Sequence, residues 1–203
     1  MSKEFQDIFQ IRISLVGILP PIWRTIQVPM TYTFWDLHVA IQDCMGWLDY
    51  HLHEFTVFDF QSNSIKNVGI PDEEFPESHP VPEGWEVPIM NFLHEDSPTA
   101  RYEYDFGDSW VHVIQIEAQL NRDSKNKYPL CIDGARRCPP EDCGGVGGYE
   151  HFLKVISDKK DPEHESMLEW AGGSFDPEEF DISKVIFDNP KTRWKIAFQE
   201  PDM

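Results

Sequence analysis

Two stretches in which every second residue is apolar restrict what this chain can become more than any other feature. Tyr102, Tyr104 and Phe106 fall on one side of a short run, Gly107-Asp108 supplies turn chemistry, and Trp110, His112, Ile114, Ile116 and Ala118 line a longer partner. A period of two marks a half-buried strand, and a Gly-Asp pair between two such runs predicts an antiparallel hairpin. Near the N-terminus, Ile11, Ile13 and Leu15 alternate with Arg12 and Ser14; after Pro20-Pro21, Ile22, Arg24, Ile26 and Val28 alternate with Trp23, Thr25 and Gln27. This predicts a second hairpin. Strands that are apolar on one side need that side covered, so both hairpins are expected in one small antiparallel or mixed sheet with a helix packed on it.

The helix is well punctuated. Thr33 with Asp36 three residues on forms a variant capping box, Phe34, Leu37, Ile41 and Cys44 recur at helical spacing, and Gly46 is placed to end the helix. Leu52–Phe60, rich in aromatic and β-branched residues, reads as a third strand. The expected fold class is α+β with a ββαβ start, an order shared with the ubiquitin-like roll, and with a mostly helical C-terminal third. In that third, Phe152, Val155 and Ile156 form one apolar stripe and Met167, Leu168 and Trp170 a second; Gly172-Gly173 ends this helix and Asp176-Pro177 starts another. Between about residues 67 and 98 the chain turns acidic and proline-rich, with Pro71, Pro76, Pro80, Pro82, Pro88 and Pro98. Backbone that lacks donors cannot sit in a central sheet, so this stretch reads as a surface insertion into a single domain over residues 1–203. Phe75, Trp85 and a helical turn at Ile89–Leu93 would anchor it; as a lid it would reach the 104–110 turn or the 131–148 loop.

With 14 Phe, 7 Trp and 6 Tyr, there is ample material for a packed core. Seventeen Lys and Arg stand against 36 Asp and Glu, a net charge of −19. Such a surface repels phosphate backbones, which disfavours direct nucleic-acid binding. No apolar run approaches the roughly 20 residues that span a bilayer, so no membrane association is expected. The polar start Met1–Asp7 lacks the apolar core of an export signal. The four cysteines are therefore expected as free thiols in a reducing cytoplasm.

Three places could carry chemistry. Cys131, Cys138 and Cys143, spaced C-x6-C-x4-C, could bind zinc with His51 or His53 as a further ligand. The spacing lacks the paired C-x2-C knuckles of structural zinc sites, and buried small hydrophobes account for the same residues. Asp105, Asp108 and His112, with Trp110 beside them, could share a hard metal or do acid–base work; turn formation also explains the two aspartates. Gly144–Gly148 ahead of a helix could cradle an anion, but neither nucleotide-binding fingerprint is met.

Several runs carry a family likeness. Pro20-Pro21-Ile22-Trp23-Arg24, Met45-Gly46-Trp47, His51-Leu52-His53-Glu54-Phe55 and Tyr104-Asp105-Phe106-Gly107-Asp108-Ser109-Trp110 occur in order. Cys138-Pro139-Pro140-Glu141-Asp142-Cys143-Gly144-Gly145, Glu169-Trp170 and Phe175-Asp176-Pro177-Glu178-Glu179-Phe180 follow them. In these the chain resembles the plasmid pRiA4b ORF-3-like family. The resemblance implies an association with plasmid or insertion-element genes and brings no reaction, cofactor or ligand. The leading functional expectation is a binding or interaction module with a protein partner. The alternatives are a metal-assisted hydrolase, with His51, His53, Asp105, Asp108, His112 and the cysteine loop converging, or an accessory to nucleic-acid processing.

Overall fold

The alternating run at 99–121 becomes a long antiparallel ladder. In the computed structural model, which describes residues 7–71 and 81–199, β5 (Thr99–Tyr104) pairs with β6 (Trp110–Asn121), placing Tyr102 opposite His112 and Tyr104 opposite Trp110. β1 (Asp7–Leu15) pairs with β2 (Trp23–Pro29) on one side and with β6 on the other. β3 (His53–Asp59) pairs with β4 (Ser64–Gly69) and β5, and β7 (Leu130–Ala135) closes the far edge against β2. The result is a seven-stranded antiparallel sheet in the order β4-β3-β5-β6-β1-β2-β7. Both hairpins therefore share one sheet, and the fold is α+β.

Several expectations need correction. The sheet is larger than anticipated, because β4 (Ser64–Gly69) runs into the start of the acidic stretch and β7 takes Leu130–Ala135 from the cysteine loop. Both are short edge strands without a clear alternation, and pairing rather than local pattern makes them strands. A ubiquitin-like roll would place a later strand parallel to the first; here the seven strands pair only antiparallel with one another, and β5 and β6 separate β3 from β1. The hairpin turn is wider than Gly107-Asp108, and its left-handed residues are Asp105 and Ser109, at φ +56° and +54°. The C-terminal third alternates helices with irregular chain: α2 (Gly145–Ser157), α3 (His164–Trp170), a 3-10 turn at Ile182–Lys184 and α4 (Pro190–Phe198). Asp176-Pro177 starts no helix; Asp176 instead accepts from the amide of Glu178.

The first helix, α1 (Phe34–Met45), forms as its caps dictate. Thr33 and Asp36 exchange side chain-to-backbone hydrogen bonds at 2.9 and 3.2 Å, and Gly46 ends the helix at φ +88°. One face of α1, with Phe34, Leu37, Ile41 and Cys44, joins Phe9, Ile11, Ile13, Ile26, Phe55, Tyr102, Trp110 and Ile114 in the core. Its other face is buried too, because α4 lies over it: the indole of Trp35 donates to the carbonyl of Pro190 and stacks edge-on to Phe198. The opposite sheet face leaves Val113 and Glu117 exposed, as a one-sided antiparallel sheet allows.

The described part of the acidic stretch also serves α1. The amides of Phe34 and Trp35, two of the four that a helix start leaves without partners, donate to the carbonyls of Val87 and Gly84 at 3.0 Å. Ile89 and Leu93 enter the core, and Trp85 packs on Trp194 and Phe198 of α4. Among the described residues these anchors lie at α1 and α4 rather than at the 104–110 turn or the 131–148 loop. Phe75 and Pro76 fall outside the described residues.

Candidate functional site

Three irregular segments meet where β3 and β5 begin and end. The amide of Asp105 donates to the carbonyl of Leu52 at 3.0 Å, which sets the 105–109 turn against the chain entering β3. Asp105 Oδ1 accepts from the amides of Gly107 and Asp108, at 2.9 and 3.3 Å, and fixes the turn from within. Asp108 Oδ2 then accepts from the amide of Gly144, at 3.0 Å, and holds the 136–144 loop onto the turn. Gly145, at φ +67°, passes so close that a Cβ there would stand 2.5 Å from the carbonyl oxygen of Asp108. Gly145→Ala is therefore expected to cost about 2 kcal/mol from the left-handed backbone and the clash together. A urea unfolding midpoint equal to that of the parent would contradict this.

The clamp brings three ligand-type side chains together. His51 Nε2 lies 3.1 Å from Asp142 Oδ1 and 3.7 Å from Asp105 Oδ2. Both aspartates hold left-handed backbone, at φ +56° each. Tyr104 packs edge-on to the His51 imidazole. Its hydroxyl donates to Glu141 at 3.1 Å and accepts from the amide of Tyr50 at 3.0 Å. Glu141 also accepts from the amide of Leu48 at 2.7 Å, and burial raises its carboxyl above the ordinary range.

Glu141 and Asp142 form the rim of an open cleft of about 660 Å³ between the end of α1, the 137–142 loop and residues 170–185. Trp47, Trp170, Phe175 and Phe180 supply its aromatic walls. The indole of Trp47 donates to the carbonyl of Pro139, whereas Trp170 is 49 % exposed. Carboxylates dominate the polar lining: Asp43, Glu141, Asp142, Glu179 and Asp181. Of the cations, Arg137 lies over Phe175 at 4.5 Å and faces Glu179 at 3.8 Å, and Lys184 donates to the same Glu179 at 2.7 Å. Burial pushes the Asp43 carboxyl up to about 6, against the lowering effect of the Asp188 amide and Arg193. A smaller cavity of about 300 Å³, lined by Cys143, His151, Phe152 and Met167, shares Asp142 and Trp170 with the cleft.

The anticipated site residues separate into two sets. His51 and Asp105 join the cluster, and Asp142 completes it. Among the described residues, this is the one group of three or more His, Cys, Asp or Glu side chains whose ligand atoms lie within 4.8 Å of one another. The anticipated set of Cys131, Cys138 and Cys143 does not assemble, because β7 carries Cys131 into the sheet while Cys143 turns toward α2. Burial pushes the Cys138 and Cys143 thiols up to about 12 and raises Cys131. His53 is a core residue, stacked on His38 at 3.5 Å between centroids. His112 and Trp110 are fully buried, and the imidazole Nδ1 of His112 donates to the carbonyl of Trp110. Asp108 is the loop clamp. Asp142 escaped notice in the sequence because nothing periodic marks it; it stands in a Pro-Pro-Glu-Asp-Cys-Gly-Gly run whose direction only the clamp sets.

Known proteins resemble the chain along most of its length. A family model described as "Plasmid pRiA4b ORF-3-like protein" matches residues 7–184. An uncharacterized protein, y4hQ, from Sinorhizobium fredii (strain NBRC 101917 / NGR234) is 32 % identical over 169 residues, covering 83 % of this chain and 82 % of that protein. Among solved structures, a protein of unknown function, MM3350 from Methanosarcina mazei Go1, superposes with a TM-score of 0.85 at 39 % identity. That match covers 91 % of this chain and all of the other.

Proposed function

This chain belongs to the plasmid pRiA4b ORF-3-like family, and from that premise we propose that it is a binding module whose cleft takes a cationic segment of a protein partner. One observation carries the reading: the exposed Trp170 indole, the half-buried Phe175 and Phe180 rings and an excess of carboxylates line the same cleft. Arg137 and Lys184 are both turned toward Glu179, and with Arg24 the three cations stand against the five carboxylates Asp43, Glu141, Asp142, Glu179 and Asp181, which leaves the lining net negative. A guanidinium or ammonium side chain would gain both a carboxylate and an aromatic face, the combination that recognises cations best. The volume suits one or two side chains of an extended peptide. The overall charge of −19 favours encounter with a basic partner and opposes nucleic acid. A second reading, metal-assisted hydrolysis, draws on the convergence of His51, Asp105 and Asp142 at the rim and requires a cation there.

Fluorescence titration with a synthetic octapeptide of alternating Arg and Ser, in the presence of EDTA, tests the binding reading. Saturable quenching is expected, with affinity that falls as salt rises. Trp170→Ala should weaken it by about tenfold through loss of the exposed ring. Lys184→Glu, a change at an exposed position, should tighten it. An alternating Glu and Ser peptide that binds equally well, or binding indifferent to both variants, would refute the proposal.

A further inference from the structure

We propose that His51, Asp105 and Asp142 bind a first-row divalent cation of the zinc or manganese class at the rim of the cleft. One imidazole nitrogen and two carboxylate oxygens form a mixed donor set that suits such ions. With metal–ligand bonds of about 2.1 Å, neighbouring donor atoms stand roughly 3.0–3.4 Å apart around an octahedral or tetrahedral ion. The 3.1 Å and 3.7 Å separations about His51 Nε2 require only a small adjustment to meet this spacing.

Two further observations set the cluster apart from an ordinary surface ion pair. His51 Nε2 is buried and makes no hydrogen bond of good geometry, although two carboxylates lie beside it. The Asp105 side chain is only 10 % exposed, with its Oδ1 committed to the amides of Gly107 and Asp108 and its Oδ2 aimed at His51. A buried nitrogen that faces two carboxylates without a hydrogen bond leaves its desolvation uncompensated, and a cation held between the three groups would satisfy it. Asp142, 68 % exposed, is the solvent-side ligand beside which water or a cleft ligand would reach the open coordination positions.

The full chain, stripped with EDTA and dialysed, should bind one equivalent of Zn²⁺ or Co²⁺ by isothermal titration, and its melting temperature should rise with the metal. His51→Ala and Asp142→Asn should each weaken binding by at least about tenfold. Asp105→Asn separates ligation from folding, because its amide oxygen can still accept from Gly107 and Asp108 while Oδ2 is lost; its metal-free melting temperature should stay near the parental value and its metal affinity should fall. Cys143→Ser should leave binding unchanged. No saturable binding by the parent, binding insensitive to the three ligand variants, or binding abolished by Cys143→Ser would each overturn the assignment. Arg-Ser peptide binding in EDTA is read separately, so failure of one result leaves the other standing.

Discussion

Acidification below pH 6.5 is expected to destabilise the fold, with each of His38, His53 and His112 contributing up to about 1.4 kcal/mol per pH unit. All three are fully buried. Burial is the chief cause that holds each imidazole below its ordinary range, reaching about 3 for His112. At His53 the stacked His38 adds to the lowering, and at His38 the contact with Asp49 opposes it. The sign follows from which state binds more protons. Above pH 6.5 the imidazoles are neutral in both states and contribute nothing to the pH dependence; below it the unfolded chain takes up protons that the fold excludes, and stability falls until the folded values are reached. Asp43, Asp36 and Glu141, whose carboxyls are raised by burial, act in the opposite sense as they protonate within the fold, so the net slope is smaller than the sum of the histidine terms. Urea unfolding across a pH series checks this, and His53→Phe should flatten the slope. Stability that stays level down to the carboxylate range would contradict the expectation.

Arg24→Met is expected to lose about 3–5 kcal/mol, among the largest effects of any single substitution here. Arg24 is 2 % exposed, and its guanidinium bonds no carboxylate. It donates instead to the carbonyls of Cys44, Trp23, Ala135 and Arg136, at 2.8–2.9 Å, and lies 3.8 Å from the centre of the Phe180 ring. The Cys44 carbonyl is in the last turn of α1, where the helix dipole favours positive charge. One side chain thus ties α1, the end of β7 and the C-terminal segment together behind the cleft. Methionine fills the volume but leaves these buried carbonyls without their donors. Arg24→Lys retains the charge but has no planar fork, so it should fall between the two. The urea midpoint should drop at unchanged slope; a Met variant as stable as the parent would mean that the carbonyls find other donors.

Much of the fold could be read from local pattern because local chemistry sets it. The period of two in Ile11–Leu15 and Trp110–Ala118 determined strands with one buried face, and Thr33, Asp36 and Gly46 determined where α1 starts and stops. Edge strands β4 and β7 were hidden because their hydrogen bonds come from β3 and β2, and α4 because most of its side chains face solvent. The candidate site was half legible. His51 and Asp105 stood out as ligand types in turn-forming runs, but the same signals pointed equally to His53, His112 and the cysteines, which the fold buries as core. Residue type advertises what a side chain could do, whereas burial and direction decide whether it does so.

By itself, the sequence determined an acidic α+β chain with two hairpins, a capped helix and a core rich in aromatic residues, since each follows from spacing and side-chain chemistry within a few residues. Only the tertiary structure decided that His51, Asp105 and Asp142 meet, because each comes from a different loop and no periodicity spans the gaps between them. The meeting depends on the Asp108–Gly144 hydrogen bond and on the close passage of Gly145, long-range contacts that exist only once the sheet has brought the end of β5 beside the loop that follows β7.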